Sequence, residues 1–220
     1  MTENMMENQK KKGKSLRKKQ QIIDTYLSLI QEKPWDKVSV MELCKKAEIT
    51  RGTFYLYYED IYDLMEQIET ELLEDLKKCY AACRDSERTG SFLREFPDRF
   101  DCSPPEIFLA WFEYSRDHRK ALLPLLDRKN GDPYFVRRLK QMIREALGKV
   151  MDRDGTAKDE LRQHFTEICV ELHLLSVQSW LSSEPEDYLT VEDIVNLLNT
   201  MRVGSMYLAW RNGTDHLIFG

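Results

Sequence analysis

The chain has 220 residues, of which 42 % are hydrophobic and 32 % charged, and its formal net charge is −5 at pH 7. Its 9 Gly and 7 Pro residues are too few for a collagen-like or low-complexity chain or a turn-rich β-sandwich. No apolar run approaches the roughly 18 residues that a membrane span requires, and no apolar segment follows the basic N-terminus as in a secretory signal. Five Cys residues without regular spacing favour a reducing compartment over a disulfide framework.

The charge is distributed unevenly along the chain. Residues 1–60 contain 12 Lys and Arg against 9 Asp and Glu, whereas residues 61–220 contain 21 against 29. Seven Lys and Arg residues, and no acid, lie between Lys10 and Lys19. Such a cluster is the electrostatic pattern expected for binding a phosphate backbone, although a solvated, disordered tail explains it equally well.

The spacing of apolar residues predicts helix after helix, and no segment alternates with a period of two for long enough to form a strand. Ser39, Thr50, Ser103 and Thr190 are the predicted caps, with Glu42 completing a capping box after Ser39. A helical turn is also expected around residues 92–96, within a Pro- and Gly-containing connection. The nine main predicted helices span residues 16–33, 39–47, 51–57, 60–83, 103–116, 120–126, 133–151, 159–182 and 190–210.

The segment Ser39–Leu64 contains two short predicted helices joined by a tight turn. This arrangement indicates a helix-turn-helix, in which the second helix enters the major groove of DNA. The second helix contains the donors Thr50, Arg51 and Thr53, together with Gly52, which lets a surface approach the backbone closely. Tyrosine hydroxyls at its end are suited to phosphate contacts.

The sequence here resembles the tetracycline-repressor (TetR) family of bacterial transcription regulators. Ile49–Tyr55, followed by Tyr57-Tyr58, is similar to the family's recognition helix, and Asp63-Leu64 to the start of its connecting helix. The resemblance implies that Arg51 and Thr53 reach base edges and that Gly52 lies against DNA. The complete set of DNA-binding residues that it implies is Ser39, Thr50, Arg51, Gly52, Thr53, Tyr55, Leu56 and Tyr57.

Two positions depart from the family pattern. Glu48 stands where the turn usually has Gly, so we expect a left-handed or strained conformation there. Ile61 stands where the fourth helix usually begins with a phosphate-binding Lys, so one phosphate contact is lost.

The resemblance continues more weakly into a C-terminal domain of the Firmicutes-type branch of the family, over Trp111–Leu126, Gly131–Leu147 and Leu174–Leu198. It implies an all-α chain of two domains, with residues 1–65 binding DNA and residues 66–220 sensing a ligand and forming a homodimer. Core packing is the alternative for each aromatic residue in this region. The implied ligand pocket contains Phe108, Trp111, Phe112, Phe135 and Met142. The implied dimer interface contains Phe165, Ile168, Leu172, Leu175, Trp180, Leu197 and Met201.

The sequence therefore predicts a cytoplasmic bacterial regulator, nucleoid-associated when bound, whose partners are operator DNA, a second copy of the chain and an unknown small-molecule effector. We expect a repressor that the effector releases from its operator; the alternative is a co-activator or interaction module with weakened DNA binding. No membrane partner or cofactor is expected. No metal is expected either, because Cys79 and Cys83 have no nearby His or Cys pair to complete a metal site. An enzyme is disfavoured because no phosphate loop, nucleophile elbow or His-Glu-x-x-His motif occurs.

Overall fold

The computed structural model describes residues 2–83, 102–153, 158–183 and 189–211. Within these ranges every regular element is helical, which confirms the predicted all-α class with about nine helices. A 3-10 turn at Trp35–Lys37 follows the first helix. The α-helices are α1 (Thr2–Glu32), α2 (Val40–Lys46), α3 (Arg51–Tyr55), α4 (Ile61–Ala82), α5 (Glu106–Asp117), α6 (Arg119–Leu125), α7 (Pro133–Arg153), α8 (Glu160–Leu181) and α9 (Val191–Arg211).

The first helix begins at Thr2, fourteen residues before the predicted start at Leu16. The apolar stripe that predicted the helix does begin near Leu16. The residues before it are nevertheless mostly Lys, Glu, Gln and Met, which favour helix, and no Pro interrupts them. The disordered-tail alternative is therefore wrong for the basic segment Lys10–Lys19, which is helical backbone continuous with the core part of α1.

Three of the four predicted caps are confirmed. Ser39, Thr50 and Thr190 each accept a hydrogen bond from a backbone N–H three residues on, and Asp159 caps α8 in the same way. The cap predicted at Ser103 is wrong, because α5 begins at Glu106 with Pro105 before it and no side-chain cap. Pro105 fixes its own φ and disfavours helix at the residue before it, so the chain stays extended there. The predicted turn at residues 92–96 lies outside the described residues.

The chain folds as two compact units. The first unit comprises the residues up to Leu73 together with Lys120–Val136. Its fully buried side chains come from α1 to α4, α6 and the start of α7, and α2 contacts both α1 and α3. They include Ile22, Tyr26, Ile30, Leu43, Phe54, Leu64 and Leu122.

The segment 120–136 joins this unit through hydrogen bonds that are distant in sequence. The Trp35 backbone N–H donates to the Asn130 carbonyl at 3.0 Å, and the Asn130 side-chain amide donates to the Gln31 carbonyl at 3.2 Å. The C-terminal end of α1 is thus bound to a loop about 100 residues later in the chain.

The second unit comprises Glu74–Arg119 and the residues from Arg137 onward. In this unit α5 contacts both α8 and α9. Its buried residues include Trp111, Phe112, Leu139, Val170, Val177 and Val195. The unit boundary falls inside α4, and the functional division between residues 65 and 66 stays a prediction. None of the described helices is long and apolar enough to cross a membrane.

Candidate nucleic-acid interface

The helix-turn-helix consists of α2, a four-residue connection and α3. Leu43, Cys44 and Phe54 are buried and form its apolar contact surface. The Ser39 hydroxyl accepts from the Glu42 backbone N–H at 3.3 Å, whereas the Glu42 carboxylate pairs with Lys33 instead of completing the capping box. The Thr50 hydroxyl accepts from the Thr53 backbone N–H at 3.1 Å and begins α3.

The turn between the two helices has the backbone that the sequence predicts. Glu48 has a φ of 51°, in the left-handed region that side chains with a Cβ atom occupy at a cost. The Gln21 side-chain amide of α1 donates to the Ala47 carbonyl at 2.8 Å. This bond attaches the turn to α1, and sequence reasoning missed Gln21 because its partner lies 26 residues away.

One face of α3 and of the residues after it is open to solvent. Arg51, Gly52, Tyr55 and Leu56 are exposed, and Leu56, at 79 %, is the most exposed of the chain's large apolar side chains among the described residues. A Cβ atom at Gly52 would lie no closer than 3.8 Å to the Thr50 hydroxyl. The protein itself therefore does not require Gly at this position, whereas a closely approaching partner surface would.

The recognition helix is shorter than predicted, since it ends at Tyr55 rather than Tyr57. Tyr57 and Tyr58 both donate their backbone N–H to the Phe54 carbonyl, which closes the end of the helix tightly. The two side chains then diverge, because Tyr57 is half-buried whereas Tyr58 is 2 % exposed. Burial raises the pKa of the Tyr58 hydroxyl far above its ordinary value, so this residue belongs to the core and not to the DNA-facing set.

The basic half of α1 contacts the end of the recognition helix. The Ser15 and Tyr57 hydroxyls are 3.2 Å apart. The Lys19 ammonium lies 5.9 Å from the centre of the Tyr58 ring and pairs with Glu71 at 3.1 Å. Lys14 and Arg17, both exposed, lie on α1 within two residues of Ser15, which contacts Tyr57.

The start of α4 shows what replaces the lysine of the family pattern. Ile61 is 6 % exposed and packs into the core. The Asp60 carboxylate accepts from the Asp63 backbone N–H, and the Asp63 carboxylate accepts from the Glu59 backbone N–H, each at 2.8 Å. Carboxylates thus lie on both sides, in sequence, of the position where the family pattern has a cation, and this helix end disfavours a phosphate.

The five predicted pocket residues are distributed over both compact units. Phe108, Trp111 and Phe112 are buried on α5 in the second unit, and Met142 is half-buried on α7. Phe135 is fully buried and belongs to the first unit. The pocket itself stays a prediction.

The predicted interface residues on α8 and α9 also divide into two groups. Ile168, Leu175, Leu197 and Met201 are 50 % to 66 % exposed, and Phe165 and Leu172 are half-buried. Trp180 is placed differently. It is 5 % exposed, its ring centre lies 5.8 Å from that of Phe112, and its indole N–H donates to the Leu189 carbonyl at 2.8 Å. Trp180 is therefore buried within the single chain, and its part in an interface stays a prediction.

Comparison with known proteins agrees with this geometry. Residues 22–68 match the family described as bacterial regulatory proteins, tetR family. A 58-residue stretch is 31 % identical to the HTH-type transcriptional regulator YxbF of Bacillus subtilis (strain 168) and covers 26 % of this chain but only 15 % of that protein.

Two solved structures share the fold over most of both chains. A TetR transcriptional regulator from Streptococcus agalactiae 2603V is 19 % identical, with a TM-score of 0.58, and the similarity covers 88 % of this chain and 98 % of that one. The fatty acid degradation regulator FadR from Bacillus halodurans is 13 % identical, with a TM-score of 0.60, covering 86 % and 96 %.

Residues 22–68 therefore resemble the helix-turn-helix segment of bacterial regulatory proteins of the tetR family. Over most of its length the chain shares the fold of the two solved regulators.

Proposed function

We propose that the protein acts in the bacterial cytoplasm as a homodimeric repressor that binds operator DNA and is released from it by a small-molecule effector. The observation that carries this proposal is the solvent-exposed face of α3, on which Arg51, Gly52, Tyr55 and Leu56 lie together. An arginine can read guanine by two hydrogen bonds in the major groove, and an apolar side chain such as Leu56 can contact a thymine methyl group.

Affinity for the phosphate backbone would come from groups around α3. The cap hydroxyls of Ser39 and Thr50 are at exposed positions, and the Tyr57 hydroxyl is half-buried beside Ser15. The basic part of α1 would add cations that displace counterions from DNA. These groups are present although the start of α4 carries acids instead of the family's lysine.

Dimerisation is supported by the exposed apolar residues of α8 and α9. Ile168 and Leu175 are seven residues apart on α8, so they share one helix face, as Leu197 and Met201 do on α9. Four large apolar side chains that are at least half exposed favour burial against another surface. We assign that surface to the same face of a second copy, because operator half-sites are read by symmetric dimers with recognition helices about 34–36 Å apart.

The dimer would have two conformations, one whose recognition helices are spaced to fit the operator and one whose spacing does not fit. An effector would act by binding the second conformation more tightly than the first. The ratio of its two affinities sets the largest decrease in operator affinity that the effector can cause. The alternative is a co-activator or interaction module of the same fold with weakened DNA binding, which the acidic start of α4 favours.

Titration of the full-length protein onto labelled DNA from upstream of its own gene tests the proposal. We expect specific binding that is at least about a thousandfold tighter than binding to random DNA at physiological salt. Equal affinity for both DNAs, or none for either, would support the alternative.

A further inference from the structure

Two aromatic contacts join α5 to α8 in the second compact unit. The ring centres of Phe108 and His173 are 4.6 Å apart at an interplanar angle of 64°, and those of Phe112 and Trp180 are 5.8 Å apart at 63°. Trp111 lies between the two α5 residues in the chain and is 1 % exposed. It shares a helix face with Phe108, three residues before it.

His173 presents a hydrogen-bond acceptor inside this core. Its Nδ1 lies 2.7 Å from the Cys169 carbonyl oxygen, and a carbonyl can only accept, so Nδ1 carries the proton. Burial lowers the pKa of the His173 imidazole below its ordinary value, so the ring is neutral. Nε2 is then a buried lone pair, and no donor among the described residues reaches it.

Trp111 presents the complementary donor. Its indole N–H can only donate, is buried, and finds no acceptor among the described residues. Trp180, the other buried tryptophan of the unit's described part, donates its N–H to the Leu189 carbonyl at 2.8 Å. Among the described residues one buried indole thus has a partner and the other has none, although buried polar groups in proteins are normally hydrogen-bonded.

The described part of the second unit contains no buried charged residue. The buried polar residues of the second unit's described part are Ser115, Thr166, His173 and Asn199, all uncharged. The hydroxyls of Ser115 and Thr166 already donate to helix carbonyls, at 2.7 and 2.8 Å. Glu113 on α5 is exposed. An ionised ligand buried here would lack a counter-charge, which disfavours carboxylates, phosphates and ammonium ions.

We propose that His173 and Trp111 form the polar part of a ligand site for a neutral, largely apolar molecule that bears a hydroxyl group. The ligand hydroxyl donates to His173 Nε2, and a ligand oxygen accepts from the Trp111 indole N–H. The Phe108 ring, whose centre lies 4.6 Å from that of His173, supplies apolar surface at this site. This inference rests on the proposed function in one respect, which is that the ligand is taken to be the effector. It adds the effector's chemical class.

The test is ligand titration of full-length, 15N-labelled protein without DNA. The probes are phenol and cyclohexanol, their apolar analogues toluene and methylcyclohexane, and the ions benzoate and benzylammonium. We expect the two alcohols to cause saturable shifts of the Trp111 indole N–H and His173 Nε2 resonances. The apolar analogues should bind at least about tenfold more weakly, and the ions more weakly still.

Substitution of the acceptor provides the matched control. His173→Phe should lower the affinity for phenol to that for toluene while leaving toluene binding unchanged. His118→Phe is the control, because His118 also places Nδ1 near the carbonyl four residues before it, at 2.9 Å, but stacks on Tyr114. It should retain the preference for phenol. The wild-type titration stands by itself if His173→Phe does not fold.

The inference is overturned if neither alcohol shifts these resonances, if toluene binds as well as phenol, if an ion binds best, or if a bound water retains both hydrogen bonds at saturating phenol. Since no DNA is present, these outcomes do not depend on operator binding. Probe binding by a protein that ignores its upstream DNA would contradict the proposed function alone.

Discussion

Arg51 is the only charged side chain in α3, and it is exposed at the first residue of that helix. If it forms two hydrogen bonds to one base, Arg51→Ala should weaken operator binding by about 1–3 kcal/mol and random-DNA binding much less. Fluorescence anisotropy with both DNAs measures the difference. Arg128→Ala, an exposed arginine outside the helix-turn-helix, should leave both affinities nearly unchanged. Equal losses on both DNAs would show that Arg51 contacts phosphate only.

Gly52 and Gly131 differ in the reason for having no side chain. A Cβ at Gly131 would lie within 3.0 Å of the backbone oxygens of Leu125 and Asp127, so Gly131→Ala should destabilise the fold by about 1–3 kcal/mol. Gly52→Ala meets no such contact and should leave the fold unchanged or stabilise it by up to about 1 kcal/mol, while weakening operator binding. Urea unfolding and anisotropy on both variants give the comparison. A Gly52→Ala protein with full operator affinity would contradict the close approach.

The left-handed backbone conformation at Glu48 destabilises the folded protein, and a substitution can remove this effect. Glu48→Gly should raise the free energy of unfolding by about 0.5–1 kcal/mol, because Gly adopts a positive φ without a Cβ clash. Glu48→Ala is the control, since it removes the charge but keeps the Cβ atom, and it should bring no such gain. Similar stability of the two variants in urea would mean that the charge, not the backbone, sets the effect.

The elements show where prediction from sequence succeeds and where it stops. The caps at Ser39, Thr50 and Thr190 and the left-handed Glu48 were predictable because each depends on residues within one helical turn. The burial of Trp180 in the single chain was not predictable, because an apolar stripe does not reveal which of its members face a neighbouring helix of the same chain. The Trp111 indole N–H and His173 Nε2 could not be identified as unpaired polar atoms from the sequence, because they lie on two separate helices and their burial depends on how the helices pack.

The extended α1 is the element whose contribution to binding is most directly measurable. Removing residues 1–14 deletes four lysines, so the slope of log affinity against log salt should become shallower by about 0.9 for each lysine that contacts a phosphate. Anisotropy from 50 to 200 mM salt gives the slope, and thermal unfolding checks that the shortened chain still folds. An unchanged slope would show that the basic helix does not contact DNA.

At the scale of the whole molecule, substitutions on the exposed face of α8 and α9 should affect dimerisation, whereas substitutions of buried residues on α8 should affect folding. Ile168→Glu places a charge on a residue that is 66 % exposed in the single chain, so the protein should become monomeric yet stay folded. Trp180→Glu should unfold the second unit, because the charge would be buried without a partner. Sedimentation velocity and circular dichroism distinguish the two. Gln163→Glu adds a charge elsewhere on α8 as a control, and a dimeric Ile168→Glu protein would place the interface elsewhere.

DNase I footprinting of the full-length protein on DNA upstream of its own gene tests the central claim most directly. The exposed α3 of each protomer should protect two related half-sites whose centres lie about 10–10.5 base pairs, or a multiple of this, apart. The protection should vanish with Arg51→Ala at the same protein concentration. Protection that is uniform along the DNA, or that is unchanged by this substitution, would contradict sequence-specific binding through α3.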